Sequence, residues 1–400
     1  MSDSRRGASP GRSILAMISS RGGGDWPPVV ALAQGLRDRG HQVRVLCDSG
    51  SAAAVRAADL PTICVPAELE QGPYFQRWTQ QFVERGARPP PTYPLVDWGN
   101  DCQASVRASI ESAAPEMVVS SLFCMGLATV VASELAIPWC FVNPSFYFGE
   151  GSRRPWGEDF SELGVTVFRD VFLPLAKKAT LVLHATDGEF DPRPDPMAAN
   201  HHYVGPLLWE PSTDEPPYLS EAGDPWALVT VSTIPQEGEL VIARAAMRAL
   251  EYERVRVVVT MPGGQARAEV GPIPENARVV DYVSHSAVLR RSRLVISHAG
   301  HGIVMKGLYY GVPMVLVPWG RDQPGVAQRA EAAGVAAVVP RDECNQDRVG
   351  AAIRRVLDDP DYRAKAQRIS ARLQAENAVE ISCDHVDRLL EASIKRTGTI

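Results

Sequence analysis

Residues 294–324, LVISHAGHGIVMKGLYYGVPMVLVPWGRDQP, contain the pattern that decides the fold. An apolar run at 294–297 predicts a strand, and the helical pattern after it ends at Gly311 and Pro313. A second apolar run at 314–318 predicts the next strand. A strand, a helix and a second strand in this order are typical of a parallel sheet. The stretch therefore predicts an α/β fold.

The turn between the first strand and the helix, at 298–302, contains two glycines. They allow a tight turn and leave amide N–H groups free at the start of the helix, where the helix dipole favours an anion such as a phosphate. Open α/β sheets bind ligands at the carboxyl ends of their strands, and His298, Asp322 and Gln323 lie just past such ends. One strand end offers donors for a phosphate, and the next offers partners for hydroxyl groups. The pattern predicts a ligand in which a sugar is joined to a phosphate.

Four ordered motifs in this stretch resemble the donor signature of the family 1 nucleotide-sugar glycosyltransferases. They are His298-x-Gly300-x-Gly302, Gly311-Val312-Pro313, Pro318 and Asp322-Gln323. The family consists of inverting enzymes of the GT-B fold, in which two Rossmann-like domains face a cleft. Ala299 and Ile303 depart from the signature, and the isoleucine lacks the hydroxyl that would contact a phosphate. A lone histidine at position 298 would more often be a structural residue at the start of a helix, but the four motifs together favour a role at the phosphate.

The resemblance implies a set of donor-binding residues in the second half of the chain. They are Ser232, Thr233, Tyr282, Val283, His298, Gly300, His301, Gly302, Asp322 and Gln323. Ser232 and Thr233 follow a predicted strand and are placed either to reach a phosphate or simply to form a turn. Tyr282 and Val283 lie where the family holds the nucleotide base by backbone contacts. The proline usual in that segment is absent, and residues 284–285 are Ser-His instead.

Composition and charge exclude several classes of protein. The chain has 400 residues, 45% of them apolar and 22% charged, as in an ordinary globular protein. Its net charge of −6 disfavours a nucleic-acid partner or an anionic membrane. The seven cysteines lack metal-ligand spacing and indicate reduced thiols, and no segment approaches the ~20 apolar residues of a membrane span. We expect a cytoplasmic monomer or homodimer.

Changes in composition divide the chain into predicted units. Residues 13–208 form an acceptor-binding Rossmann-like domain, and residues 226–376 form a nucleotide-sugar-binding one. The stretch between them, 209–225, is rich in proline and acidic residues and predicts a linker. Residues 377–400 predict a helix that, as in members of the family, crosses back onto the first domain.

The first predicted strand, at 13–19, is followed by a glycine-rich turn for which two functional interpretations compete. In a dinucleotide-binding site, Asp48 at the end of the second strand would hold a ribose. This is disfavoured because Trp26 and two prolines occupy the region where the last glycine of that fingerprint is needed, and because Asp25 would repel a pyrophosphate. A purely structural alternative to both functional interpretations is that Asp25 only caps the following helix.

The turn also resembles an amino-terminal motif of the family, written S/T-R-G-D-x-x-P in a branch that includes glycopeptide-antibiotic and sterol glycosyltransferases. Residues 20–22 and Asp25-x-x-Pro28 match it, with two additional glycines between them. The match implies that Asp25 is the general base. Members with a histidine base orient it with an aspartate at the end of a later strand, where this sequence has Ser121. The reference pKa of an aspartate is ~3.9, so the carboxylate of Asp25 is expected to stay ionised below pH 6. The value of kcat/KM is therefore expected to persist there.

Aromatic residues cluster in the first half of the chain, in the segments 66–110 and 146–172, whose weak periodicity predicts loops. Core packing explains any one of them, but their concentration predicts the walls of an apolar cleft for an aromatic or polyketide-like acceptor. The predicted acceptor-binding residues are Trp26, Phe75, Trp78, Phe123, Phe146 and Tyr147.

Together these features predict an inverting, metal-independent transfer of a sugar from a dTDP- or UDP-sugar to a hydroxyl of an apolar small molecule, such as an antibiotic or other natural product. Asp25 would accept the proton, and His298 with the helix dipole would stabilise the departing diphosphate. No D-x-D carboxylate pair that could hold a metal is evident, and no cofactor is implied. A sugar-nucleotide epimerase and a non-catalytic sugar-nucleotide-binding accessory protein remain as alternatives.

Overall fold

The computed structural model describes residues 11–86, 94–147, 168–261 and 267–397. Two parallel β-sheets, each with helices on both faces, form the architecture. The first sheet and its helices comprise β1 (Ser13–Met17), α1 (Pro27–Asp38), β2 (Gln42–Cys47), α2 (Ser49–Ala57), β3 (Thr62–Cys64), α3 (Gln71–Glu84), α4 (Leu95–Ala113), β4 (Met117–Ser120), α5 (Met125–Leu135), β5 (Trp139–Asn143), α6 (Leu173–Ala176), β6 (Leu181–His184) and β7 (His201–Tyr203).

The second sheet begins at residue 226. Its elements, with the helices that follow it, are β8 (Trp226–Thr230), α7 (Leu240–Leu250), β9 (Arg256–Thr260), β10 (Ala277–Val280), α8 (His285–Leu289), β11 (Ser292–Ser297), α9 (His301–Tyr309), β12 (Met314–Leu316), α10 (Gln323–Ala332), β13 (Ala336–Val338), α11 (Gln346–Asp358), α12 (Pro360–Ala375) and α13 (Ala378–Thr397).

Strand order shows that both sheets are doubly wound. The first runs β3-β2-β1-β4-β5-β6-β7 and the second β10-β9-β8-β11-β12-β13, with every pair parallel. The order reverses beside β1 in the first sheet and beside β8 in the second. Such reversal points open a crevice at the carboxyl ends of the strands, which is where ligands bind in this class. The α/β prediction with two Rossmann-like domains is confirmed.

Central strands are apolar on both faces because helices cover both sides of each sheet. In β1, Ile14 and Ala16 belong to the buried cluster on one face, and Leu15 and Met17 belong to the cluster on the other. The second sheet likewise has a buried cluster on each face. The last helix, α13, packs Cys383, Val386 and Leu390 into the same cluster as α1, so the end of the chain lies against the first sheet.

Two predictions for the first domain were wrong. The segment 66–110, expected to be mainly loops, contains helices α3 and α4, whose apolar side chains face the first sheet; Phe75 and Trp98 are buried there. The apolar run at 181–185 predicts the last strand of the first domain, but the first sheet extends beyond that strand, β6, to the short edge strand β7. That strand has the sequence His-His-Tyr, which no apolar pattern would reveal. The prolines at 89–91, which predict an extended loop, and the aromatic residues at 148–167 lie outside the described residues.

A short segment after β6, residues 186–191, joins the two sheets and their helices; we call it the interdomain segment. Thr186 Oγ1 lies 3.0 Å from Nε2 of His301 on α9. Asp187 accepts two hydrogen bonds, of 2.6 and 2.7 Å, from Arg372 on α12. Asp191 pairs with Arg329 on α10 at 3.1 Å. Both carboxylates are buried, so these contacts fix the first sheet against three helices of the second domain.

None of the helices within the described ranges has the length and apolar character to cross a membrane. Of the seven cysteines, six are buried and Cys64 is exposed, all as free thiols.

Candidate functional site

Loops that follow the carboxyl ends of strands in the two sheets meet at one place. The turn Ser20–Asp25, after β1, contacts helix α9, which follows β11. In that turn Gly23 has a φ of +60°, and a Cβ there would lie 3.1 Å from Cγ1 of Ile234, just after β8. Ser145, after β5, donates a 3.1 Å hydrogen bond to Asp322, after β12. Residues distant in sequence thus come together where the two domains face each other, at the position of the cleft expected for this fold.

Asp25 is buried in this cleft, with 5% of its surface exposed. Its Oδ2 accepts a 3.3 Å hydrogen bond from the backbone N–H of Phe123, while Oδ1 has no partner among the described residues. Burial raises the pKa of Asp25 to about 7, against the opposing effects of the Phe123 N–H and the hydroxyl of Ser121. The carboxyl therefore changes charge close to neutral pH, and one of its oxygens has no hydrogen-bond partner among the described residues.

Two sequence-based expectations for Asp25 are corrected by this geometry. It does not cap α1, whose N-cap is Trp26 without a side-chain hydrogen bond. Its pKa is also far from the ~3.9 of a solvated aspartate, because burial disfavours the charged form. Activity that depends on its carboxylate is therefore expected to fall below pH 7 instead of persisting below pH 6. Ser121 lies beside the carboxyl, though without a hydrogen bond of normal geometry.

Asp48, the residue that a dinucleotide site would use for a ribose, is occupied by the protein itself. Its Oδ2 accepts hydrogen bonds from the Ser20 N–H at 2.7 Å and from the hydroxyls of Ser19 and Ser20 at 3.1 and 3.0 Å. Its Oδ1 caps α2 through Ser51. Asp48 holds the turn that carries Asp25, which leaves no role for it at a ribose.

His298 follows β11 and is buried, with 9% of its surface exposed. Its Nδ1 has no hydrogen-bond partner among the described residues. Burial, together with the nearby positive charge of Arg321, lowers the pKa of His298 to about 4, and a hydrogen bond to the backbone of Thr230 only partly opposes this shift. The imidazole is therefore neutral at pH 7 and can donate a hydrogen bond but supplies no charge.

The backbone between His298 and helix α9 is tightly constrained. Ala299 has a φ of +63°, a conformation that is uncommon and costly for a residue with a Cβ and is found most often at functional sites. A Cβ on Gly300 would lie 2.5 Å from Nε2 of His298, so only glycine fits there. Gly302, in the first turn of α9, faces open space. The start of this helix is thus accessible to an anion.

His301, the first residue of α9, faces the other domain. Its ring lies 5.7 Å from that of Phe146 in an edge-to-face arrangement, in addition to its contact with Thr186. Burial lowers the pKa of His301 to about 3, so it too is neutral. The structure places its side chain at the domain interface and leaves its backbone N–H at the start of the helix.

Asp322 and Gln323 lie at the start of α10. Asp322 accepts the hydrogen bond of Ser145, and burial raises its pKa. Oε1 of Gln323 accepts 2.9 Å hydrogen bonds from the N–H groups of Trp319 and Gly320, so part of this side chain holds its own loop.

The remaining predicted donor residues are spread along the edge of the second sheet. Ser232 is buried and its Oγ accepts a 3.3 Å hydrogen bond from Arg321, whereas Thr233 is exposed. Tyr282 is 49% exposed, and Val283 is buried in the core.

The predicted acceptor residues do not form a single wall. Phe75 packs under the guanidinium of Arg21 at 5.0 Å, and Phe123 packs edge-to-face on Phe172, so both adjoin the turn that carries Asp25. Trp78 is half-buried on α3, next to Phe82. Trp26 packs against Trp209 and the core on the opposite face of the sheet.

Phe146 and Tyr147 fill the domain interface. The guanidinium of Arg329 lies 3.7 Å from the ring centroid of Phe146. The N–H of Tyr147 donates a 2.7 Å hydrogen bond to Asp191, and its ring packs on His184 and His201.

Two residues of the cleft were missed by sequence reasoning. Arg321 lies within the donor motif and bridges to the loop after β8, through Ser232 and the carbonyl of Ile234. The positive charge of Arg321 next to a glycine was the feature of the sequence that could have indicated its place in the site. Ser145 reaches Asp322 across 177 positions of sequence, which no local pattern reveals. Within the described ranges, no three His, Cys, Asp or Glu side chains come together as a group that could hold a metal ion.

Comparison with known proteins agrees with this architecture. Residues 245–390 match the family described as erythromycin biosynthesis protein CIII-like, C-terminal domain. O-mycaminosyltylonolide 6-deoxyallosyltransferase of Streptomyces fradiae is 25% identical, over 94% of this chain and 97% of its own length.

Two solved structures share the fold across almost their whole length. Glycosyltransferase VinC in complex with dTDP superimposes with a TM-score of 0.69 at 20% identity, covering 95% of this chain and 99% of its own. Spinosyn rhamnosyltransferase SpnG in complex with spinosyn aglycone gives 0.68 at 18% identity, covering 92% and 98%. The chain therefore has the GT-B fold, is similar over residues 245–390 to the erythromycin biosynthesis protein CIII-like C-terminal domain, and resembles bacterial natural-product glycosyltransferases.

Proposed function

We propose that this protein transfers a sugar from a dTDP- or UDP-sugar to a hydroxyl of an apolar small-molecule natural product, with inversion at the sugar carbon and without a metal ion. The observation that carries the proposal is the state of Asp25. It is a buried carboxyl with a pKa of about 7 and an unpartnered oxygen, in a turn that contacts the helix whose start is open to an anion. A general base is most effective when its pKa lies near the working pH.

The proposed reaction uses the two sides of the cleft for different tasks. Oδ1 of Asp25 accepts the proton of the acceptor hydroxyl as that oxygen attacks C1 of the sugar. The bond from C1 to the diphosphate breaks on the opposite side, and negative charge grows on the leaving oxygen. The N–H groups at the start of α9 and the neutral ring of His298 donate hydrogen bonds to this charge. Arg321, beside Ser232, supplies the positive charge that the histidines lack.

Phe75 and Phe123, which adjoin the turn of Asp25, are proposed to contact the apolar acceptor. Asp322 and Gln323, at the start of α10, are proposed to bind hydroxyls of the donor sugar. The proposal also draws support from relatives: VinC is described in complex with dTDP and SpnG in complex with an aglycone. A donor and an apolar acceptor are thus the two ligands assigned to this cleft.

The test is incubation of the purified protein with dTDP- and UDP-sugars and a panel of aglycones, with products followed by mass spectrometry. A glycoside whose anomeric configuration by NMR is opposite to that of the donor is the expected result. Isomerisation of the donor sugar without a glycoside would instead indicate an epimerase. Donor binding without turnover across the panel would indicate an accessory protein. Asp25→Asn, incubated in parallel, separates enzymatic transfer from background hydrolysis.

A further inference from the structure

Glu210, a residue of the interdomain linker, lies half-buried between two elements of the second domain. Its Oε1 accepts hydrogen bonds from the backbone N–H of His285, at 3.1 Å, and from Nζ of Lys306. Its Oε2 accepts hydrogen bonds from the hydroxyl of Ser284, at 2.8 Å, and from the backbone N–H of Ser286, at 3.1 Å. Four donors therefore converge on one carboxylate.

This contact differs from an ordinary surface ion pair. The side chains of Glu210 and Lys306 are only 14% and 17% exposed. Burial by itself would raise the pKa of Glu210, but the charge and hydrogen bond of Lys306 outweigh it and lower the pKa to about 2. An ion pair removed from water is favourable only when its remaining lone pairs accept hydrogen bonds. Here four donors surround the carboxylate of Glu210, so this condition is met.

The two elements that Glu210 joins are those expected to hold the two ends of the donor's nucleotide. Residues 284–286 directly follow Tyr282 and Val283, the predicted base-binding segment. Lys306 lies on α9, whose first turn is expected to bind the diphosphate. Helix α8, which begins at His285, has only five residues, so it is too short to hold its own position without tertiary contacts. Ala287, Val288 and Leu289 pack it into the core, and Glu210 supplies the polar contacts at its start.

We propose that Glu210 is a positioning residue that sets the base-binding segment at the correct distance from the diphosphate-binding helix. This inference rests on the proposed function, because it assumes that a nucleoside diphosphate binds there. The base and the diphosphate are covalently joined through a ribose, which limits their separation, so both parts of the site must be in register for either to contribute fully to affinity. The contacts of Glu210 form before the ligand binds, and binding therefore does not have to order the base-binding segment.

The experiment compares three single variants by calorimetry with dTDP and UDP, and by steady-state kinetics. Glu210→Gln keeps the shape of the side chain and removes the charge, and Lys306→Met removes the opposite charge. Glu215→Gln is the matched control, because Glu215 is another linker glutamate and pairs at 2.6 Å with Arg291, just beyond α8. We expect ~10-fold weaker nucleotide binding and a similarly raised donor KM in the first two variants, with kcat at saturating donor within about threefold, and no change in the control.

The double variant Glu210→Gln/Lys306→Met is expected to bind nucleotide no more weakly than the single variant with the lower affinity, because both changes remove the same contact. The inference is overturned if the folded Glu210→Gln and Lys306→Met proteins lose thermal stability but bind dTDP and UDP as the wild type does. It is also overturned if Glu215→Gln loses as much affinity as they do. Should Glu210→Gln fail to fold, Lys306→Met decides the question. A wild-type protein that binds neither dTDP nor UDP would instead refute the proposed function itself.

Discussion

Replacing Asp25 with asparagine is expected to stabilise the folded protein while abolishing transfer. Both effects have the same cause, the burial of an acidic group in the cleft. The folded protein holds the proton of Asp25 up to a pH of about 7, whereas the unfolded chain releases it near the ordinary value of 3.8. Asparagine has the same shape, accepts the same hydrogen bond from the N–H of Phe123 and has no charge to desolvate.

The size of the stability effect follows from the two pKa values. The difference between about 7 and 3.8 corresponds to at most ~4 kcal/mol at ~1.4 kcal/mol for each pH unit. Because the folded-state pKa is the higher one, the wild type is least penalised below pH 4, loses stability as the pH rises from about 4 to about 7, and is constant above that. The advantage of Asp25→Asn should therefore be close to zero at pH 4 and greatest above pH 7.

Urea unfolding at pH 5 and pH 8 measures the gain in stability. Initial rates of transfer across the same pH range measure the loss of activity. For the wild type, kcat/KM should fall about tenfold for each pH unit below 7, since the base must be ionised. Asp25→Asn should bind the donor normally but lose ~10²-fold or more of the activity. Asp342→Asn, at an exposed position, is the control for removal of one negative charge.

Two results would refute this reasoning. If Asp25→Asn gains no stability at pH 8 relative to pH 5, the carboxyl does not have a raised pKa. If the variant keeps more than about a tenth of wild-type activity, the proton is removed by another residue or by the acceptor itself.

Four further predictions concern three residues of the site and the absence of a metal requirement. His298→Ala should lower kcat by ~10²-fold, the usual cost of losing a donor to developing charge, and wild-type turnover would make His298 purely structural. Asp322→Ala should weaken transfer but leave dTDP and UDP affinity, measured by calorimetry, nearly unchanged; an equal loss of nucleotide affinity would contradict its assignment to the sugar. Gln323→Glu should act more mildly, because a carboxylate still accepts the N–H groups of its loop. Transfer should persist in EDTA, and loss of activity that magnesium restores would disprove metal independence.

The central strands could be predicted from sequence to within two residues. The apolar runs at 42–47, 117–120 and 256–260 predict strands with the observed bounds, whereas those at 13–19, 294–297 and 314–318 differ from β1, β11 and β12 by two residues at one end. This works because a strand in the middle of a parallel sheet is covered on both faces and so is continuously apolar, with glycine and proline at its ends. Edge strand β7 has no such constraint, and helices α3 and α4 were missed because their aromatic residues obscured the helical period.

The site was predictable only as far as local motifs extend. The motifs located His298 and Asp322 at strand ends, but Ser145 and Glu210 depend on partners 177 and 74 to 96 positions away. The raised pKa of Asp25 could not be predicted from the sequence for the same reason. Burial depends on what the rest of the chain places around a residue, and Phe123, the hydrogen-bond partner of Asp25, is 98 positions away. The roles assigned to the acceptor and donor residues stay predictions until ligands are measured.

The interdomain segment has a consequence for building hybrid enzymes, in which the acceptor domain of one protein is fused to the donor domain of another. A hybrid that keeps residues 226–400 of this chain retains Arg329 and Arg372, but takes residues 186–191 from the other parent. Without acidic partners matching Asp187 and Asp191, two arginines would be left unpaired at the interface, and the domains would lose the contacts that fix them together. A fusion point before residue 186, which keeps the whole segment with residues 226–400, avoids this mismatch.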